Sequence, residues 1–351
     1  MRSAKLTAPK KIEVITEDAP KIKGPHDVLV QIKVVGICGT DLHIFHGERA
    51  DVQLPRVMGH ELSGVVTETG SAVKKHKAGD RVILDPVIAC GTCPVCKKGH
   101  PNVCASVKCF GVHVDGGFQD YIVVHEDVLY KIPDAVSFEQ AALAEPFSIA
   151  VNIAARLGIR SGDQAVIMGS GTIGLVCLQV FKSLGAKVLV SDVEDAKLEV
   201  AKKCGADKVV NSKKEDLKEA VMNYYPIGAD VVLDAVGVSP LFALSVDLAA
   251  PTARVGVIGF DAKAAEIAPV HITKKELTIA GSRMNCNRFP EVIEWFRNPP
   301  PRSERIEVPL RKGGLNIDLL ISRKYPVEEI QKAFDETIAD MKNTVKTLIV
   351  F

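Results

Sequence analysis

The sequence lacks the features that would mark it for a membrane, a secretory route or a polyanion. No apolar run in its 351 residues reaches the length of about eighteen that a membrane span needs. The opening stretch, MRSAKLTAPKKIEVI, has no apolar core of the signal-peptide kind, so a cytoplasmic location is expected. Charge of one sign is missing as well: 44 basic residues stand against 43 acidic ones, a net charge of +1. That balance argues against nucleic acid or an anionic membrane as the main partner. Internal repeats and low-complexity tracts are absent. What remains is an ordinary globular composition, 47% hydrophobic and 25% charged, in a chain long enough for two domains with sizeable cores.

The nine cysteines are an odd number, and in a reducing compartment they do not suit a disulfide framework. Four of them fall in CGTCPVCKKGHPNVC, where Cys90, Cys93 and Cys96 are separated by two residues each and Cys104 follows after seven more. Short gaps of this kind turn successive thiolates toward one centre, and four thiolates at about 2.3 Å satisfy tetrahedral zinc. A chance cluster of free thiols is the plainer alternative. Four sulfurs leave no open position for a substrate, so a structural zinc is expected in the lobe at 90–104.

From residue 28 to about 130 the chain reads as short strands and loops, with DVLVQIKVVGI, LSGVVTETG, DRVILDP and DYIVVH bounded by Gly, Asp and Pro. SFEQAALAEPFSIAVNIAARLGI then has long helical stretches. After DQAVIMG, apolar strands such as KVLVSD and DVVLDAVG alternate with helical segments, a pattern that predicts a parallel sheet covered on both faces. NPPPRSER near residue 299 reads as an exposed loop. In the last stretch Val327, Ile330, Phe334, Ile338 and Met341 recur at helical spacing, and TVKTLIVF closes the chain as a strand. The organisation is a β-rich domain, an inserted α/β domain and a C-terminal return, and pattern alone does not say which domain the return joins.

VIMGSGTIG carries Gly169, Gly171 and Gly174 as G-x-G-x-x-G, with Thr172 and Ile173 inside the motif. Alone the motif is weak. Here it follows an apolar strand, opens a helix, and is followed eighteen residues later by Asp192 at the end of the next strand. The glycines allow a tight turn, a close approach of backbone to a pyrophosphate, and close helix–strand packing. The helix N-terminus adds free N–H groups and positive potential. Asp192 can accept from an adenosine ribose and would repel a 2′-phosphate, so NAD is expected rather than NADP; Lys197 nearby is the residue that speaks for the latter.

Three further metal-type settings stand far apart: Cys38 in GICGTDLH, His60 and Glu61 in MGHELSG, and Glu145 in LAEPFSIA. Each has a plain structural reading, and spacing alone does not unite them. The ordered set GICGTDLH, GHELSG, the four-cysteine lobe, AEPF and GSGTIG resembles the zinc-dependent medium-chain dehydrogenases over nearly the whole chain. Glu145 in AEPF points to the polyol branch typified by sorbitol dehydrogenase. GVHVDGGFQDY and GSRMNCNRFPEVIEWF look closer still to bacterial sugar-acid members, L-galactonate oxidoreductase and starvation-sensing oxidoreductase among them.

The resemblance implies a β-rich, GroES-like catalytic domain from residues 1–148 and 289–351. It also implies an inserted doubly wound Rossmann domain at 149–288, with the active site in the cleft between them. It implies two zinc ions per subunit, the second, catalytic one held by Cys38, His60 and Glu145, directly or through water, with Glu61 able to enter the coordination. Thr40 and His43 would relay the alcohol proton, with His46 a weaker candidate. Phe118 and Arg283 would line the substrate pocket, Arg283 meeting a hydroxyl or a carboxylate, with His113 and Asn285 as lesser candidates. The implied reaction is reversible hydride transfer between NAD and a secondary alcohol of a polyol or sugar acid, in a homodimer or homotetramer. Oxidation of an amino alcohol such as threonine is the rival enzymatic reading, and a non-catalytic protein that binds NAD and zinc is the rival of another class.

Overall fold

The computed structural model describes residues 1–259, 261–297 and 315–351; the loop expected at NPPPRSER lies outside the described residues. The chain divides into two compact units. One is Met1–Glu145 with Asn285–Ile293 and Ile321–Phe351, and the other is Pro146–Met284 with Glu294–Leu320.

In the first unit the strand Asp27–Gly36 buries Val28, Val30, Ile32 and Val34 at every second position, the period of a sheet with one face on a core. It is the hub of a seven-stranded sheet, antiparallel to Glu61–Thr69, Tyr121–His125 and the C-terminal strand Lys346–Val350. The last strand also pairs in parallel with Ile321–Pro326. Between these two strands the helix Ile330–Ala339 buries Ile330 and Phe334, and the Phe334 ring packs 5.0 Å from Phe45 and 5.9 Å from Phe118. The expected apolar stripe is therefore broken at both ends. Val327 sits in a preceding 3₁₀ turn, Val327–Glu329, and Met341 is 53% exposed because the helix ends at Asp340, whose φ of −126° leaves helical geometry.

The second unit is a six-stranded parallel sheet. Its spatial order is Lys208–Asn211, Lys187–Asp192, Gln164–Met168, Ala229–Asp234, Ala249–Val257 and Thr278–Gly281. QAVIM and KVLVSD are buried nearly throughout, as strands covered on both faces must be. The chain starts at Gln164–Met168, builds outward on one side and returns to the other, so the strand ends part beside Met168 and leave a crevice for a ligand. The sheet's edges are Lys208–Asn211 on one side and Thr278–Gly281 on the other.

The pairing register creates one buried charge pair. Gly36 stands opposite Glu61 on one side and Leu348 on the other. Two residues before Leu348, the Lys346 ammonium lies 2.7 Å from Glu61 Oε1 and donates to the Ile37 carbonyl at 2.9 Å, with both side chains 2% exposed. Burial alone would drive the proton off Lys346. The charges of Glu61, Cys38 and Asp41 outweigh it and hold the pKa above its ordinary value. Gly36 supplies the room: a Cβ there would stand 2.2 Å from Glu61 Oε2.

Removing one partner of a buried pair leaves an uncompensated charge. Lys346→Met is expected to lower unfolding stability by about 3–5 kcal/mol. A chemical-denaturation curve measures this directly, and an unchanged midpoint would contradict the role given to the pair.

Candidate active site

Cys38 lies at the turn where the strand Asp27–Gly36 gives way to the helix Gly39–Phe45, and it is that helix's N-cap. Asp41, three residues on and fully buried, accepts the Cys38 N–H at 2.8 Å through Oδ2. Its Oδ1 accepts the Gly59 N–H at 3.2 Å and stands 3.8 Å from His60 Nδ1. One carboxylate thus ties the Cys38 turn to the segment that carries His60 and Glu61. Burial pushes the Asp41 carboxyl up, while His60 and the two N–H donors pull against it.

The ligand atoms of Cys38, His60 and Glu61 lie within 4.8 Å of one another. Glu145 is not in that group, although its carboxyl is buried close by on the first turn of the helix Ala144–Leu157. Burial raises Glu145 to about 7; Glu61 adds to the rise, and His60 and Lys346 oppose it. Burial would lower His60, yet the adjacent Cys38 and Asp41 hold the ring well above its ordinary pKa. The negative groups around His60 and Lys346 thus outweigh the effect of burial on both. The local potential is negative, as a divalent cation requires. Glu61 Oε2 is buried without a hydrogen-bond partner. An orphaned carboxylate oxygen beside a thiol and an imidazole is a donor set that fits zinc with a position left open.

Other expected residues are placed differently. Thr40 is half-buried within the helix Gly39–Phe45; His43 is exposed on the same helix, with Nδ1 2.5 Å from Glu48. His46 closes the helix through a 2.8 Å contact with the Leu42 carbonyl. Phe118, expected in the pocket, is a core residue at 1% exposure, because its ring fills the space between Phe334 and the Gly59 backbone. Asn285 is buried and donates to Asp85 at 3.0 Å. Arg283 is half-buried in the second unit, two residues past Thr278–Gly281. Sequence reasoning missed Asp41 and Lys346. An acid three residues after an N-cap is a legible capping signal, and Asp41 could have been found that way. Lys346 carries no such mark.

In the lobe, Gly91 (φ +69°) turns the chain after Cys90, Pro94 opens the one-turn helix Pro94–Lys97 that bears Cys96, and Gly99 (φ +84°) follows it. The sulfur separations are 3.4 Å for Cys93–Cys96 and Cys90–Cys104, and 3.9 Å for Cys90–Cys96 and Cys93–Cys104. These are far beyond a disulfide bond. Four thiolates about 2.3 Å from a tetrahedral centre stand about 3.8 Å apart, so the lobe fits zinc without rearrangement. The N–H groups of Cys93 and Thr92 hold the Cys90 thiol down at about 5, which favours the thiolate that a metal needs.

In the second unit Gly169 has φ +96°, a conformation that favours glycine, and a Cβ on Gly174 would lie 1.9 Å from the Gly169 carbonyl. At Gly171 the space a Cβ would fill is open, at the start of the helix Thr172–Ser183, where Thr172 and Ile173 supply the first turn. Asp192 is clamped at the strand end. Its Oδ2 accepts the Ser170 N–H and Oγ–H at 2.7 and 2.8 Å, and its Oδ1 accepts the N–H groups of Val193 and Glu194 at 2.8 and 3.0 Å. All four acceptor positions are taken, so a ribose hydroxyl would take the place of the rotatable Ser170 hydroxyl. Lys197 is half-buried on the helix Asp195–Lys203.

Comparison with known proteins agrees with this geometry. Residues 24–134 match the alcohol dehydrogenase GroES-like domain, and residues 172–298 match the zinc-binding dehydrogenase family. The chain is 31% identical to sorbitol dehydrogenase of Bacillus subtilis, over 99% of this chain and 97% of that one. It is 36% identical to 2-dehydro-3-deoxy-L-galactonate 5-dehydrogenase of Pseudoalteromonas atlantica, over 88% and 87%. The structure of the alcohol dehydrogenase rspB from Escherichia coli CFT073, solved with NADH, superimposes with a TM-score of 0.92 at 34% identity, covering 100% of this chain and 99% of that one. With a mixed sulfur, nitrogen and oxygen donor set in one unit and a glycine-rich crevice in the other, the chain belongs to the zinc-type medium-chain alcohol dehydrogenases, in their polyol dehydrogenase branch.

Proposed function

We propose that the protein transfers hydride reversibly between NAD and a secondary alcohol of a polyol or sugar acid. Cys38, His60 and Glu61 hold one zinc, with Glu145 joining directly or through water, and Cys90, Cys93, Cys96 and Cys104 hold a second. The observation that carries this reading is Glu61 Oε2, buried and unpartnered beside Cys38 and His60. Bound zinc supplies a Lewis acid that acidifies an alcohol hydroxyl, and the nicotinamide accepts the hydride.

The chain's own residues do the rest. Asp41 holds the Cys38 and Gly59 backbones together, and so fixes the segment that carries His60 against the Cys38 turn. Lys346 holds Glu61 Oε1 and leaves Oε2 without a partner. Thr40 leads from Cys38 toward solvent, and exposed His43, set by Glu48, is a terminus from which a proton reaches water. Gly169, Gly171, Gly174, Thr172 and Ile173 receive the pyrophosphate. The fixed negative charge of Asp192 favours NAD over NADP. The sorbitol and galactonate relatives support the polyol or sugar-acid class, and the NADH complex of rspB supports the cofactor. The reading extends to a cytoplasmic homo-oligomer, in which Thr278–Gly281 is one of the sheet's two edge strands open to pairing.

Zinc-replete protein should reduce NAD with polyols or aldonates and do so poorly with threonine. A panel in which threonine alone is oxidised would favour the amino-alcohol reading, and one with no NAD reduction at all would sink the proposal. Metal analysis should return two zinc ions per chain. Cys38→Ser is expected to lose one of them together with turnover, while keeping its melting midpoint. Cys93→Ser is expected to lose the other and to melt earlier, because a structural zinc contributes directly to folding.

A further inference from the structure

The loop 109–118 is zipped onto the segment that ends in His60. Gly116, Phe118 and Gly117 donate their N–H groups to the carbonyls of Val57, Met58 and Gly59 at 2.8, 3.0 and 2.7 Å. The approach is so close that a Cβ on Gly116 would lie 2.2 Å from the Gly59 carbonyl oxygen. At the start of the same loop the Cys109 N–H donates to His113 Nδ1 at 3.0 Å, which leaves the ring proton on Nε2. That nitrogen stands 3.4 Å from Asp51 Oδ2. Asp51 in turn accepts two bonds from Arg49, Nε to Oδ1 at 2.8 Å and Nη2 to Oδ2 at 2.6 Å.

Three side chains therefore form a row, from the loop beside His60 to the segment that follows the Cys38 helix. They are held but open, with Arg49, Asp51 and His113 side chains 36%, 47% and 26% exposed. The loop that carries His113 is the one whose backbone pairs with Val57, Met58 and Gly59, directly before His60.

We infer that Arg49, Asp51 and His113 form the subsite that reads the far hydroxyl groups of the substrate, and that they select a neutral polyol over a carboxylate or phosphate. The inference rests on the proposed dehydrogenase function and narrows its substrate class. Charge decides the matter. The fork of Arg49 is matched by both oxygens of Asp51, so the pair is neutral overall. The His113 ring accepts the Cys109 N–H through Nδ1 and turns Nε2 toward Asp51. An anion drawn to Arg49 meets the Asp51 carboxylate, and like charges at that range repel. Adjacent hydroxyls have no such conflict: one accepts from Arg49 Nη1, which takes no part in the Asp51 pair, and its neighbour donates to Asp51. A diol matches the row as an anion does not.

The test is binding calorimetry on zinc-loaded protein saturated with NADH, a cofactor state that cannot take hydride from an alcohol. Sorbitol, gluconate and sorbitol 6-phosphate are the three ligands. The wild type should bind sorbitol most tightly. Arg49→Gln should weaken sorbitol by about tenfold or more, the cost of losing hydrogen bonds to charged groups, with zinc content and melting midpoint unchanged. Asp51→Asn frees the Arg49 charge, and should weaken sorbitol while strengthening gluconate and the phosphate. The inference is overturned if either variant binds sorbitol as the wild type does. It is equally overturned if the wild type prefers an anion or binds none of the three. Sorbitol binding that depends on Arg49, in a protein that reduces no NAD, would leave this subsite standing and remove the catalytic reading instead.

Discussion

A carboxylate buried against a lysine is the constraint on which the first unit's chemistry depends. Glu61 is drawn into the interior by Lys346, at 2.7 Å, and Gly36 leaves the space for it. The pair is costly to desolvate and adds little net stability relative to an apolar core. Its effect is on geometry: Oε1 is committed to Lys346, Oε2 is buried without a partner, and the carboxylate is held within 4.8 Å of the Cys38 and His60 ligand atoms. Lys346 belongs to the chain's last strand and Glu61 to an early one, both laid against Asp27–Gly36. Closing the sheet and completing the metal pocket are therefore the same event.

Asp41 performs the matching task from the other side. A fully buried acid that accepts one N–H from Cys38 and one from Gly59 fixes two loops that the sheet alone would leave free to shift. Cys38, Asp41 and Glu61 make the pocket electronegative, and their charges raise His60 and Lys346 against the opposing effect of burial. The cysteine lobe solves a simpler problem. Its four sulfurs already stand at tetrahedral spacing, and nothing in that arrangement leaves room for a substrate.

Legibility followed the distance over which ligands are gathered. The lobe could be read directly, because Cys90, Cys93, Cys96 and Cys104 share one short segment and spacing stands in for geometry. The glycine-rich crevice could be read because strand, turn, helix and Asp192 are consecutive. Cys38, His60 and Glu61 are brought together only by folding, and it was the resemblance to a family, not spacing, that linked them, with Glu145 placed nearby but outside the group. The relative standing of Glu61 and Glu145 was not legible, since it depends on a lysine that arrives from residue 346. A lysine in a terminal strand ordinarily points to water, and only pairing on both sides of that strand puts it inside. Phe118 shows a related limit: an aromatic after two glycines suits a pocket wall and a core equally, and the register against Gly59 buries its ring in the core. Arg49 and Asp51, in a stretch that reads as solvated surface, gain meaning only from the loop that brings His113 to them.

The central claim is that the working metal has one sulfur, one imidazole and carboxylate oxygen around it, separate from a metal with four sulfurs. X-ray absorption at the zinc edge on fully loaded protein measures the average shell of both. One site with four sulfurs and one with a single sulfur predict an average of about 2.5 sulfurs per zinc, with the remaining scatterers nitrogen and oxygen at about 2.0–2.2 Å. An average close to four sulfurs, with no light-atom shell, would contradict the account.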